Sequence, residues 1–268
     1  MKKVLSIYVN LQDRELNLPK YLNEIPFIIS ICPASLSGIA YRPGTPGITL
    51  SKKGIREVKE LLDRGCILGQ RGHTGVCPNQ YTHEDGTDRW HENYCPYNPN
   101  FSLEQQLELM ETGKWILEEQ LGSTPKVYAP TNHLFDNTTL RIAKVLGYEF
   151  VMDQNHIGAL PLYSAGFSLG NLTVIPEARL TDDLAEKSIG VYGAVNVKVD
   201  KQTSKIIKKL IEENEFVLPS QIKPTLVRDT LREPLAKTRL GNLLKANEIK
   251  KRISKFERDL RLVEEKNK

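Results

Sequence analysis

The 268 residues carry a formal net charge of +4, with 40% hydrophobic and 26% charged side chains. That apolar share supports a sizeable core and excludes global disorder, and the length suits one large α/β domain or two small ones. Basic and acidic residues are interspersed over most of the chain, which gives no nucleic-acid footprint, and no apolar run approaches the ~18 residues of a membrane span.

Met1, Lys2 and Lys3 open like a signal peptide, but the apolar run at 4–9 meets Asn10, Gln12 and Asp13 at once, too soon for a signal-peptide core. The expected location is therefore cytoplasmic. In that compartment Cys32, Cys66, Cys77 and Cys95 are read as reduced thiols or metal ligands rather than disulfides.

Short apolar runs bounded by turn residues predict strands. In chain order they fall at 4–9, 27–31, 66–68, 127–129, 149–152, 173–175, 190–195 and 216–218. Helices are predicted between them at 51–63, 103–120, 137–146 and 204–213, with Gly65, Gly122 and Gly147 placed as helix-terminating glycines. Strand–helix alternation of this kind implies a mostly parallel sheet with helices outside it. The expected architecture is a distorted (β/α) barrel of seven or eight strands over residues 1–223, with a doubly wound open sheet as the alternative. Both place their sites at the C-terminal ends of strands, which directs attention to residues 10–13, 70–75, 130–132 and 153–156 and to Cys32 and Asn196.

Residues 72–100 form a long irregular segment with three of the five histidines, two cysteines, Trp90 and several prolines. A loop of that length inside a compact domain is usually functional or disordered, and its aromatics and prolines favour the first reading. Residues 224–268 differ in character. A basic linker leads to Ile249, Ile253, Phe256, Leu260 and Val263, spaced four, three, four and three apart on a charged background. This is a heptad-like stripe on an amphipathic C-terminal helix. It packs on its own domain, or it joins a second copy or a protein partner through residues 245–268.

Three segments resemble the NodB-type polysaccharide deacetylases. The strand 4–9 with Asn10 occupies the place of that family's first strand. Leu61-Leu62-Asp63-Arg64-Gly65-Cys66-Ile67-Leu68-Gly69 is similar to its helix-turn-strand before the histidine motif. Val127-Tyr128-Ala129-Pro130-Thr131-Asn132, with the helix and strand that follow as far as Asp153, resembles its proline-containing strand, helix and next strand. The resemblance implies a (β/α) barrel and hydrolysis of an N-acyl or O-acyl group, with a divalent ion activating water and a carboxylate taking the proton. It also implies a carbohydrate ligand.

The residues depart from that pattern. The family's aspartate pair falls on Val9 and Asn10, its two histidines on Arg71 and Gly75, its arginine-proline on Tyr128 and Ala129, and its closing histidine near Asn196. Asn10 can offer an oxygen ligand but cannot act as a general base. A permanent guanidinium at Arg71 cannot ligate a cation; it suits a carboxylate or phosphate, or pairs with a nearby acid. If the strand at 66 ran on to 73, Arg71 and His73 would share one face.

Substitute metal sites remain open. His73, Cys77, His91 and Cys95 have H-x3-C spacing twice, thirteen residues apart, which fits a tetrahedral zinc site. His83, with Asp85, Asp88 and His133, offers a second arrangement. Asn10, Asp13, Arg71 and His133 are the candidate catalytic groups. Trp90, Tyr94, Pro130 and Asn132 are candidate substrate contacts, with Trp90, Tyr94 and Tyr97 as a platform for a sugar ring. The residues thus leave two functions standing: a deacylase with rearranged ligands, or an inactive barrel that binds a ligand or joins an assembly.

Overall fold

The structure, a computed structural model, describes residues 2–9, 14–34, 50–73, 103–130, 137–153, 167–169, 171–178, 191–196 and 201–221. Among the described residues nine strands form one sheet. They are β1 (Lys2–Val9), β2 (Ile28–Ile31), β3 (Ile67–Arg71), β4 (Val127–Ala129), β5 (Phe150–Asp153), β6 (Phe167–Leu169), β7 (Leu172–Ala178), β8 (Val191–Asn196) and β9 (Glu215–Phe216). The helices are α1 (Lys52–Asp63), α2 (Leu103–Leu121), α3 (Asn137–Val145) and α4 (Lys201–Glu213).

The strand order is β2-β3-β4-β5-β7-β8-β1-β9, and β1 also pairs with β2. Every neighbour in this path is parallel, and the pairing of β1 with both β8 and β2 closes the ladder on itself. Parallel strands alternating with outer helices are therefore present as the sequence implies. One strand was not anticipated. β6 folds back antiparallel on β7, with Phe167 opposite Val174 and Leu169 opposite Leu172; Ser168 interrupts its apolar residues, so it lacks the adjacent apolar residues by which the other short strands are read. The tail at 224–268 lies outside the described residues.

Period two along the strands separates two layers. Val4 and Tyr8 of β1, Ile28 of β2, Val127 and Ala129 of β4, Phe150 and Met152 of β5 and Ile175 of β7 pack together inside the ring, with Ile67 against them. The alternate residues face the helices. Leu5, Ile7, Val9, Ile29, Ile31 and Leu68 pack on Val58 and Leu61 of α1, Leu117 and Leu121 of α2, and Ile206, Ile207 and Leu210 of α4. Tyr128, Val151, Leu172 and Val174 pack on Met110 of α2 and on Leu140, Ile142 and Ala143 of α3.

Helix boundaries follow from capping chemistry. Ser51 accepts a hydrogen bond from Gly54 N at 3.1 Å and so starts α1. At its other end Gly65 has φ 93°, and Cys66 N donates to Leu61 O while Gly65 N donates to Leu62 O. That pair of bonds is a Schellman close, and α3 ends the same way, with Gly147 at φ 78° and Tyr148 N on Ala143 O.

Inside the ring one close approach shapes the wall. Gly69 of β3 pairs with Ser30 of β2. A Cβ at Gly69 would collide with Ser30 Oγ and lie 3.2 Å from Ser30 Cβ and 3.3 Å from Ile28 Cγ2. Gly69→Ala should therefore destabilise the protein by about 1–2 kcal/mol, the overpacking cost less the gain in strand propensity. The check is a urea titration of Gly69→Ala in the wild-type and Ser30→Gly backgrounds. Removing the serine side chain should return most of the loss.

Candidate functional site

The C-terminal end of β3 supplies the chemistry-bearing residues that the structure describes. Gln70 points out of the ring and is fully buried. Its Nε2 donates to Met110 O at 3.1 Å, and its Oε1 accepts from the Tyr148 hydroxyl. Burial pushes the Tyr148 phenol well up, with Glu118 adding to the effect, so it remains a donor. Gln70 is thus a structural tie between sheet and helices.

Arg71 is the next residue and faces the ring interior, where it is half-buried. Its guanidinium carbon stands 4.2 Å from the centroid of the Tyr8 ring, a cation–π arrangement. Tyr8 is directly paired with Ser30, and Ser30 with Gly69, so Tyr8, Ser30 and Arg71 lie on one stretch of the inner wall. Among the described residues Arg71 Nη1 and the hydroxyls of Ser30 and Ser6 are buried without a hydrogen-bond partner.

His73 does not continue the strand. β3 ends at Arg71, and Gly72 takes φ 53°, so the condition under which Arg71 and His73 would share one face, a strand running on to 73, is not met. Gly72 N is held by Ala129 O at 3.0 Å. The His73 carbonyl accepts from Ala34 N at 3.0 Å and from Cys32 Sγ at 3.3 Å, joining the segments after β2 and β3. Burial drives the His73 imidazolium down to a pKa of about 4, so the ring is neutral at pH 7. Cys66 is likewise pushed up by burial and is no nucleophile. Pro130 is buried directly after β4.

The other candidates, Asn10, Asp13, Cys77, His83, Trp90, His91, Tyr94, Cys95, Asn132 and His133, lie outside the described residues, as do Gly75, Asp85, Asp88 and Tyr97. Asn196 ends β8 and pairs with Tyr8 at the same mouth. Tyr8 and Ser30 were missed in the sequence because both sit within runs read as plain apolar strands. The available signal was phase: Val4-x-Ser6-x-Tyr8, Ile28-x-Ser30 and Ile67-x-Gly69-x-Arg71 place polar residues at inward positions of a parallel barrel, where aliphatic ones are the rule.

A divalent ion fits the described residues poorly. A guanidinium fixed over Tyr8 puts a permanent positive charge at the mouth, where the deacetylase resemblance requires a ligand. Among the described residues no group of three or more His, Cys, Asp or Glu stands close enough to hold a metal. No helix of the described residues is long and apolar enough to cross a membrane.

No family model and no curated protein matches the sequence. Solved structures do match. The 4-alpha-glucanotransferase of Thermococcus litoralis superposes with a TM-score of 0.53 at 12% identity, over 84% of this chain and 41% of that enzyme. The two share a fold. This chain spans about two fifths of the glucanotransferase. Structures of the CE4 deacetylase family are also similar to it. A family 4 acetyl xylan esterase from Clostridium thermocellum, solved with a cobalt ion, gives a TM-score of 0.45 at 12% identity over 81% of this chain and 87% of that one. A CE4 family pseudoenzyme from Bacillus anthracis gives 0.45 at 12% identity over 81% and 64%.

Proposed function

We propose that this chain is a polysaccharide deacetylase-like barrel that binds a carbohydrate, or another ligand bearing an acyl group, at the C-terminal mouth of its sheet, without the metal-assisted hydrolysis of the deacetylases it resembles. One observation supports this above the others. Arg71, where the resemblance would put a metal-ligand histidine, is held over Tyr8 with one guanidinium nitrogen lacking a partner among the described residues. A guanidinium there donates hydrogen bonds to a ligand oxygen, an acyl carbonyl included, but neither activates water nor takes a proton. His73 beyond it anchors the segments after β2 and β3 through its carbonyl, and its buried neutral ring brings no charge.

The test joins three measurements on the purified full chain. Elemental mass spectrometry should find well under one transition metal per chain. Acetylated xylan and chitin oligosaccharides should release no acetate when zinc or cobalt is supplied. A glycan panel should nonetheless show binding, weakened about tenfold or more by Arg71→Met, which keeps an unbranched stem over Tyr8 and removes the charged donors. Stoichiometric metal with metal-dependent acetate release would overturn the proposal and restore the deacylase reading.

A further inference from the structure

We propose that the ligand group received at Arg71 is an oxyanion, a carboxylate or phosphate carried on a sugar, and that the Ser30 hydroxyl completes its subsite; this rests on the ligand-binding reading above. Three observations converge on one stretch of wall. The Arg71 guanidinium is oriented by Tyr8 at 4.2 Å and offers Nη1 without a partner among the described residues. Ser30, opposite Tyr8 in register, is 0% exposed and its Oγ is equally without a partner. Gly69, opposite Ser30 and two residues before Arg71 on the same face, leaves room for that hydroxyl where any side chain would collide with it.

An orphaned hydroxyl inside a barrel lined by Val4, Ile28, Val127, Phe150 and Met152 is costly, and an alanine there would satisfy the packing without it. Ser6 shares that state, but only Ser30 lies on the stretch of wall that carries Arg71 over Tyr8, so at Ser30 the orphaned hydroxyl points to a partner that arrives from outside. The guanidinium, a permanent cation with donors only, together with a hydroxyl able to donate, favours a ligand group that accepts hydrogen bonds and carries negative charge. The ring face of Tyr8 serves the guanidinium, so the sugar carrying the oxyanion stays on the solvent side of Arg71. Ser6 is one inward position deeper on β1 than Tyr8 and is left out of the subsite.

The experiment is isothermal titration of the full chain with glucuronic acid, glucose 6-phosphate, inorganic phosphate and neutral N-acetylglucosamine oligomers. It is repeated on Arg71→Gln, Arg71→Lys, Ser30→Ala and Ser6→Ala, with thermal melts of each unliganded variant. Expected are binding of one of the two acidic sugars over the neutral ones, a loss of about tenfold or more in Arg71→Gln, partial retention in Arg71→Lys, and a loss of about three- to tenfold in Ser30→Ala. Unliganded Ser30→Ala should melt no lower than wild type, which separates a ligand contact from a structural one, and Ser6→Ala should bind as wild type does. Which acidic sugar binds identifies the carboxylate or the phosphate as the source. Arg71-dependent binding of neutral oligomers without preference for acidic ones would overturn this inference while leaving the ligand-binding reading intact. No binding by any probe would overturn both. Phosphate binding alone that ignores Ser30→Ala, an adventitious ion only, would overturn the subsite.

Discussion

Gly113→Ala lowers stability by about 2–3 kcal/mol, although alanine is the better helix former by about 1 kcal/mol. Gly113 lies in the middle of α2 and is buried against the end of β3. A Cβ there would collide with Gln70 Nε2 and come within 3.0 Å of Gln70 Cδ and Pro33 Cγ. A flexible side-chain end could ordinarily swing away. The Gln70 amide cannot do so freely, because it bonds both Met110 O and the Tyr148 hydroxyl in a fully buried position. Displacing it breaks two buried hydrogen bonds and strands their partners, a loss of about 1–3 kcal/mol for each unsatisfied group, which outweighs the propensity gain. The expected result is a fall in Tm of about 5–10 °C for a domain of this size. Gln70→Ala introduced with Gly113→Ala should show strong non-additivity, because the two share one contact. An unchanged or higher Tm in Gly113→Ala alone would show that the helix shifts without cost.

The second large effect is acid lability from His73. Its folded pKa is depressed by burial from 6.5 to about 4. The unfolded chain therefore takes up a proton that the native state resists. Stability attributable to this group is fully present above pH 6.5, falls as pH drops towards 4, and levels off below that. At about 1.4 kcal/mol per pKa unit the loss by pH 4.5 is about 2–3 kcal/mol. Urea midpoints at pH 7.5 and 4.5 should show that loss in the wild type beyond what His73→Phe shows over the same interval. If the two proteins lose stability in parallel, His73 is not the sensitive group. The structural consequence is local, because the His73 carbonyl anchors Ala34 N and Cys32 Sγ. Protonation would loosen the turns after β2 and β3, beside Arg71.

Most elements of the described fold could be read directly from the residues. Gly65, Gly122 and Gly147 all take positive φ, as their positions after predicted helices imply. The strand at 127–129 has the expected bounds, and α1 begins one residue after its serine cap. What could not be read has a common cause. β6 is held by its ladder to β7 rather than by a pattern of its own, and Gly72 turns the chain before a strand could run on to His73. The neighbourhood of Arg71 could be read only in part. A cation where the resemblance would put a ligand was evident, but its support by Tyr8 and its place on one stretch of wall with Ser30 depend on parallel register between strands far apart in sequence. No local propensity specifies that register.

Of the described strands, the one that closes the ring is made before the others. β1 finds β2 within the first 31 residues, but its other neighbours, β8 and β9, begin at 191 and 215. During synthesis, Val4, Ser6 and Tyr8 must therefore wait for most of the chain with one backbone edge open. Contacts of such long sequence separation slow folding and lengthen the life of incomplete states. An open edge beside the apolar runs of β1 and β2 is also the place where a nascent chain is most liable to pair with another copy of itself. Until β8 arrives, the stretch of wall that carries Arg71 over Tyr8 belongs to an open sheet.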